Sequence, residues 1–157
     1  MDEDEKLIGV IHDRYGVEYE IWEYVNRHFW DFILRRGKAQ FGYAYCSLSD
    51  GLLEIIDICI ENEFVKEPWF RWPFFFPPLR WRTENCRNRG LGTALIERVI
   101  DEARKKGVRH IKGRLKDLPK EKNKDLRQWY RNCGFSILNE KDDSGETFQM
   151  DLYTRQH

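Results

Sequence analysis

The sequence has no net charge, few cysteines and no long hydrophobic run. Lysine and arginine together number 27, and aspartate and glutamate also number 27. No apolar run approaches the roughly 20 residues of a membrane-spanning helix, so we expect no membrane span. The chain begins Met1-Asp2-Glu3-Asp4-Glu5, without the basic and then apolar residues of a secretory signal, so we expect a cytoplasmic protein. Its 157 residues, 41% hydrophobic, are predicted to form a single soluble domain over 1–157.

The four cysteines are too scattered to suggest a metal site or a disulfide framework. They form no C-x-x-C pair, and no histidine lies at zinc-ligand spacing from them. Without a secretory signal, reduced thiols are the expected state. The sequence therefore predicts no metal.

The zero net charge hides an uneven distribution along the chain. Residues 1–61 carry 13 acidic and 6 basic side chains, whereas residues 62–136 carry 19 basic and 9 acidic ones. Residues 137–157 are acidic again, with 5 acidic and 2 basic side chains. A basic middle suggests an anionic ligand, although a solvated surface of lysine and arginine would give the same pattern.

Hydrophobic periodicity predicts a mixed fold of strands and helices. The predicted strands are residues 7–12, 29–36, 39–48, 52–60, 108–115, 135–139 and 147–153. Apolar spacing favours a short helix near 17–26. A longer helix is predicted over 90–106, because its apolar residues share one face and Gly107 follows its basic last turn. Asn123 is predicted to be the N-cap of a further helix that ends at Gly134.

Residues 64–85 read as an insertion rich in aromatic residues and proline. Residues 64–82 hold eight of the 23 aromatic residues and four of the five prolines, with neither helical nor strand period. So many rings must pack on an apolar surface. Two hypotheses remain open: a wall over a ligand cleft, or a partner surface such as a homodimer interface.

A glycine-containing segment at the start of the 90–106 helix is suited to phosphate. It reads Arg87-Asn88-Arg89-Gly90-Leu91-Gly92-Thr93. Backbone N–H groups at a helix N-terminus bind phosphate oxygens, and the arginines add charge. The segment is neither a dinucleotide fingerprint nor a P-loop, because Leu95 replaces the third glycine and no Gly-Lys-Ser/Thr follows.

Two motifs in order resemble the GNAT superfamily of N-acetyltransferases. Arg87-x-x-Gly90-x-Gly92 resembles that family's acyl-CoA pyrophosphate loop. The segment from Asn123 through Tyr130 to Gly134-Phe135 is similar to its second signature. The resemblance implies an α+β fold, with a twisted, mostly antiparallel central sheet flanked by helices and with splayed central strands. It also implies transfer of an acetyl group from acetyl-CoA to a primary amine, of a small molecule or a protein, by direct attack.

The resemblance also implies roles for particular residues. The cofactor-binding set would be Arg87, Asn88, Arg89, Gly90, Leu91, Gly92, Thr93, Asn123, Ile58 and Ile60. Tyr130 matches the residue usually assigned as general acid, and its alternative is a core aromatic. Asn123 would bond the cofactor arm or merely cap its helix. Asp57 and Glu61 are the candidate bases, with water as the alternative; strand alternation predicts that they share one face and that Glu54 lies on the other.

The sequence departs from the family pattern in two places. The region between the first two strands is too short for the family's usual two helices, and about twenty residues separate Ile60 from the pyrophosphate loop. Two rival functions stay open: a CoA-binding regulator without turnover, and an aromatic and basic binding module that uses the insertion. Acetyl transfer is nevertheless the predicted function, with acetyl-CoA and an amine as partners and with no nucleic acid.

Overall fold

The computed structural model describes residues 4–60, 90–115, 120–138 and 146–152. These residues form one eight-stranded sheet and two helices. The elements are β1 (Asp4–His12), β2 (Glu18–Val25), β3 (Trp30–Arg36), β4 (Ala39–Ser49), β5 (Leu52–Ile60), α1 (Leu91–Lys105), β6 (His110–Arg114), α2 (Lys120–Asn132), β7 (Ser136–Leu138) and β8 (Thr147–Asp151). The spatial order is β1-β2-β3-β4-β5-β6-β8-β7, antiparallel at every pairing except the parallel pair β5–β6. The predicted α+β class is confirmed.

The helix predicted near 17–26 is wrong, because this segment is strand β2. Its side chains alternate between the core and the other face of the sheet, with Tyr19 and Ile21 fully buried. Glu23 continues the buried series, and its carboxylate accepts a hydrogen bond from the indole of Trp30 at 2.9 Å. A carboxylate at a core position interrupts the apolar alternation, so the sequence resembles a helix although the backbone is extended.

A tight turn, and no helix, connects the first two strands of the described residues. The Asp13 carboxylate accepts hydrogen bonds from the backbone N–H groups of Tyr15 and Val17, both at 2.9 Å. It also accepts one from the hydroxyl of Tyr19, at 3.3 Å. Asp13 is buried, and these bonds close the chain into the β1–β2 hairpin. The expectation that this region is too short for two helices is confirmed.

Helix α1 covers one face of the sheet, as its sequence predicted. Its buried side chains, Leu91, Leu95, Ile96, Val99, Ile100 and Ala103, meet the core residues of β1, β4 and β5. Burial of each large apolar side chain stabilises the fold by roughly 1.5–3 kcal/mol. Gly107 follows the helix with a φ of 75°, which suits the predicted glycine end.

Helix α2 lies on the same face as α1, and its start differs from the prediction. The helix begins at Lys120, so Asn123 lies inside its first turn and is not the N-cap. Leu126, Trp129 and Cys133 recur at helical spacing in this helix, and all three pack against the core. Neither helix of the described residues is long and apolar enough to cross a membrane.

The two central strands separate partway along their length. Strands β5 and β6 pair from Leu52–His110 to Ile55–Gly113, and the pairing then ends. Strand β5 continues to Ile60, with no strand partner on that side among the described residues. The predicted splay of the central strands is confirmed, and it leaves a gap beside residues 56–60.

Candidate functional site

Helix α1 begins at the gap with an uncapped, electropositive end. Gly90 is its N-cap residue, with a φ of 80°, and no side chain of the described residues caps the helix. The first helical bond runs from the N–H of Ala94 to the carbonyl of Gly90, at 3.0 Å. The preceding N–H groups have no acceptor within the helix, and its first turn holds no acidic residue. This end can therefore bind an anion.

Contacts between β5, α1 and α2 fix the position of that helix end. The indole N–H of Trp129 donates to the hydroxyl oxygen of Thr93 at 2.9 Å. A Cβ added at Gly92 would lie 3.5 Å from the Trp129 ring and 3.6 Å from the Ile60 side chain. A methyl group fits at those distances, whereas a larger side chain would displace Trp129 or Ile60. The end of β5 and both helices therefore meet at Gly92.

A β-bulge at Ile56 turns β5 at the point where its pairing with β6 ends. Cys46 lies opposite Ile55 and Tyr45 opposite Asp57, so Ile56 is the extra residue. A bulge bends its strand and leaves the extra residue unpaired. It also reverses the alternation, and this corrects the expected faces: Glu54 and Asp57 share one face of the sheet.

The face opposite α1 carries aromatic side chains, and we call it the tyrosine face. Its residues on β2, β3, β4 and β5 are Trp22, Tyr24, Asp31, Ile33, Tyr43, Tyr45, Asp57 and Cys59. The rings of Tyr43 and Tyr45 stack with centroids 4.2 Å apart. The hydroxyl of Tyr43 donates to the Asp57 carboxylate at 3.1 Å. Burial, and then this bond, raises the pKa of Tyr43 to about 12, so Tyr43 remains a donor at neutral pH.

Tyr130 packs on the helix side of the sheet, against the ring of Phe148, which pairs with Gly113 where the β5–β6 pairing ends. The side chain is 4% exposed, and its ring stacks on Phe148 with centroids 3.9 Å apart. Burial raises the pKa of Tyr130 well above its ordinary value, and the negative charge of Asp57 adds to the shift. The roles of Tyr130 and Asp57 as acid and base stay predictions. The ring also packs in the core, as the alternative interpretation of Tyr130 had it.

Some predicted site residues lie outside the described part of the chain. These are Arg87, Asn88, Arg89 and Glu61, together with the insertion at 64–85 and the side chain of Asn123. Their roles stay predictions, as do those of Leu91 and Ile58. The described residues contain no group of three or more His, Cys, Asp or Glu side chains that could hold a metal.

Comparison with known proteins identifies the fold. Residues 2–135 match the profile of the acetyltransferase (GNAT) family. No curated protein matches the chain. Among solved structures, the GNAT domain of S. lividans PAT is 11% identical, with a TM-score of 0.64 over 92% of this chain and 96% of that one. The ribosomal-protein-S18-alanine N-acetyltransferase from Escherichia coli is 14% identical, with a TM-score of 0.53 over 85% and 76% of the two chains.

A ligand-bound structure is also similar. The GNAT family acetyltransferase from Elizabethkingia anophelis, solved with acetyl-CoA bound, is 15% identical to this chain, with a TM-score of 0.52 over 80% and 77% of the two chains. At identities this low, the similarity to these solved structures is a similarity of fold.

Proposed function

The chain belongs to the acetyltransferase (GNAT) family, and from that premise we propose that it transfers an acetyl group from acetyl-CoA to a primary amine, which attacks the thioester directly. The observation that carries the proposal is the gap beside β5. The end of α1 lies against Ile60, Tyr130 stacks on Phe148 beside the last β6 residue that pairs with β5, and Asp57 lies on the opposite face of the sheet. In this proposal Tyr130 is the donor for the leaving group and Asp57 is the acceptor of the amine proton.

The α1 end is suited to the pyrophosphate of acetyl-CoA. The N–H groups of Leu91, Gly92 and Thr93 precede the first helical bond and point out of the helix. They would bind phosphate oxygens with support from the helix dipole. The Thr93 oxygen accepts the Trp129 bond, and its own hydrogen is available to an anion. In the same proposal the phosphates also meet positive charge and hydrogen-bond donors from Arg87, Asn88 and Arg89.

The free edge of β5 is suited to the extended pantetheine arm. Backbone groups of Ile58 and Ile60 on the β6 side have no strand partner among the described residues. An extended amide chain placed there would hydrogen-bond as an added strand does. The bulge at Ile56 adds an unpaired backbone group close to Asp57, where the thioester carbonyl can be polarised.

The proposed chemistry assigns one task to each side of the gap. Asp57 accepts a proton from the attacking amine, directly or through water, while Tyr43 holds the carboxylate by its hydrogen bond. As the nitrogen–carbon bond forms and the carbon–sulfur bond breaks, the sulfur gains negative charge. Tyr130 is protonated at neutral pH, as an ordinary tyrosine is, so its hydroxyl can donate to the thiolate. Glu61 remains a second candidate base.

Thiol release from acetyl-CoA with a panel of primary amines tests the proposal. Tyr130→Phe should lower turnover on the order of 10²-fold, as expected when a positioned proton donor is lost. The affinity for acetyl-CoA should stay similar. Tyr15→Phe is the matched control, because Tyr15 is exposed in the β1–β2 turn. Equal turnover of Tyr130→Phe and Tyr15→Phe would reduce Tyr130 to a packing residue.

The same assay separates the enzyme from a CoA-binding regulator. The specific observation that favours a regulator is the packing of Tyr130, which stacks on Phe148 and contacts the rings of Trp129 and Phe135 edge-on. A regulator would bind acetyl-CoA and release no thiol with any amine.

A further inference from the structure

A cleft opens on the tyrosine face over strands β2, β3 and β4. Its volume is about 330 Å³, at the lower end of the range for small-molecule pockets. The residues around it are Tyr24, Val25, Asn26, Asp31, Ile33, Arg35, Gln40 and Tyr45. The cleft lies on the same face as Asp57, and its β4 residue Tyr45 lies opposite Asp57 on the neighbouring strand β5.

The sheet register places three of these side chains in one row with Asp57. Tyr24 lies opposite Asp31, and Tyr45 lies opposite Asp57. The β3–β4 register on both sides of Asp31 places it opposite Tyr45. The row therefore reads Tyr24, Asp31, Tyr45, Asp57 across four neighbouring strands. Since neighbouring strands are about 4.8 Å apart, the two aspartates stand about 10 Å apart with a tyrosine between them.

The charges around the cleft favour a cation at Asp31. Arg35 also faces the cleft, but its guanidinium donates to the Glu5 carboxylate at 2.6 Å and bonds the hydroxyl of Tyr24. Asp31 accepts a hydrogen bond from the backbone N–H of Cys46 at 3.3 Å and has no cationic partner among the described residues. Its half-buried carboxylate is partly desolvated, and an ammonium ion would restore that lost solvation.

Building on the acetyltransferase function proposed above, we propose that the acceptor is a linear diamine whose second ammonium binds Asp31. The reacting nitrogen lies toward Asp57, and the alkyl chain crosses the ring of Tyr45. An aromatic face attracts an ammonium group and also packs against methylene groups. Asp31 is thus a specificity-determining residue, and Asp57 is the one beside the reacting nitrogen.

Two amines of equal length test the proposal. Diaminoheptane carries an ammonium at each end with about the 10 Å spacing of the two aspartates, and heptylamine lacks the second charge. Wild type should show a kcat/KM about ten- to a hundredfold higher for diaminoheptane, as expected of one charge-assisted hydrogen bond. Asp31→Asn should abolish that preference without changing kcat/KM for heptylamine or the KM of acetyl-CoA. Asn keeps the oxygen that accepts the Cys46 bond, and Asp101→Asn on α1 is the control.

Three outcomes would overturn the inference. In the first, wild type shows the same kcat/KM for diaminoheptane and heptylamine. In the second, Asp31→Asn lowers kcat/KM equally for both amines. In the third, wild type acetylates a lysine-containing peptide faster than either amine. If wild type acetylates no amine, the proposed function fails, and calorimetry still decides the inference. Diaminoheptane should then bind wild type at least tenfold more tightly than Asp31→Asn, and equal binding would refute a role for Asp31.

Discussion

Thr93→Val tests whether the bond between Thr93 and Trp129 joins the two helices at the candidate site. Valine keeps the shape of threonine, so the change removes the acceptor of the 2.9 Å bond and little else. Both side chains are half-buried, so solvent can partly replace the lost partner. We therefore expect a loss near the middle of the range for one hydrogen bond, about 1 kcal/mol. For a chain of this size, that loss lowers Tm by about 2–4 °C.

A double-mutant cycle with Trp129→Phe separates this bond from its surroundings. Calorimetric unfolding of the two single variants and the double variant should show a coupling of about 0.5–1 kcal/mol, because the second change finds no bond left to break. Thr147→Val on β8 is the control, since the Thr147 hydroxyl has no hydrogen-bond partner in the described part of the chain. Strict additivity, or equal losses for Thr93→Val and Thr147→Val, would refute the reasoning.

Two further predictions concern the sheet. In Gly113→Ala the new Cβ would lie 2.2 Å from the buried ring of Phe148 and 2.9 Å from the carbonyl of Ile55. Calorimetry should therefore show a free energy of unfolding lower by about 1–3 kcal/mol. Lys112 is the exposed neighbour, and Lys112→Ala should unfold with a free energy close to that of wild type. Burial raises the pKa of Asp31, so its charge opposes folding above the ordinary pKa of 3.8. Asp31→Asn should therefore raise Tm at neutral pH, with a difference that shrinks as the pH falls toward 3.8 and vanishes below it; a lower Tm at neutral pH would contradict the predicted sign.

The sequence was sufficient to predict a helix or strand where one face of that element packs against the core. The apolar residues of α1 recur at helical spacing, and Leu95, Val99 and Ala103 are fully buried as that spacing predicts. The β3–β4 hairpin was predictable for a similar reason, since a turn containing Gly37 separates two runs of strand-forming residues.

The sequence was insufficient to predict the local structure where a contact between residues far apart in the chain determines it. Glu23 is buried because Trp30 provides a hydrogen bond, and no local pattern shows that bond. The bulge at Ile56 has no signal either, since Ile55-Ile56-Asp57 reads as part of a regular strand. For the same reason Asp31 was missed as a site residue: its position beside Tyr45 follows from the pairing of separate strands.

The central claim is that the α1 end binds the pyrophosphate of acetyl-CoA, and a matched pair at Gly90 tests it most directly. A Cβ at Gly90 would meet no described residue within 4 Å, and the residue has a φ of 80°, which Asn and Asp tolerate better than other side chains. Gly90→Asn and Gly90→Asp therefore differ chiefly in charge.

Calorimetric titration with acetyl-CoA gives the decisive comparison. A carboxylate about 8 Å from a phosphate charge costs about 2 kcal/mol at an effective dielectric constant of about 20. Gly90→Asp should therefore bind acetyl-CoA about thirtyfold more weakly than Gly90→Asn. The helix itself should fold at least as well in Gly90→Asp, since a negative charge stabilises a helix N-terminus. Equal acetyl-CoA affinities for two folded variants would contradict the claim.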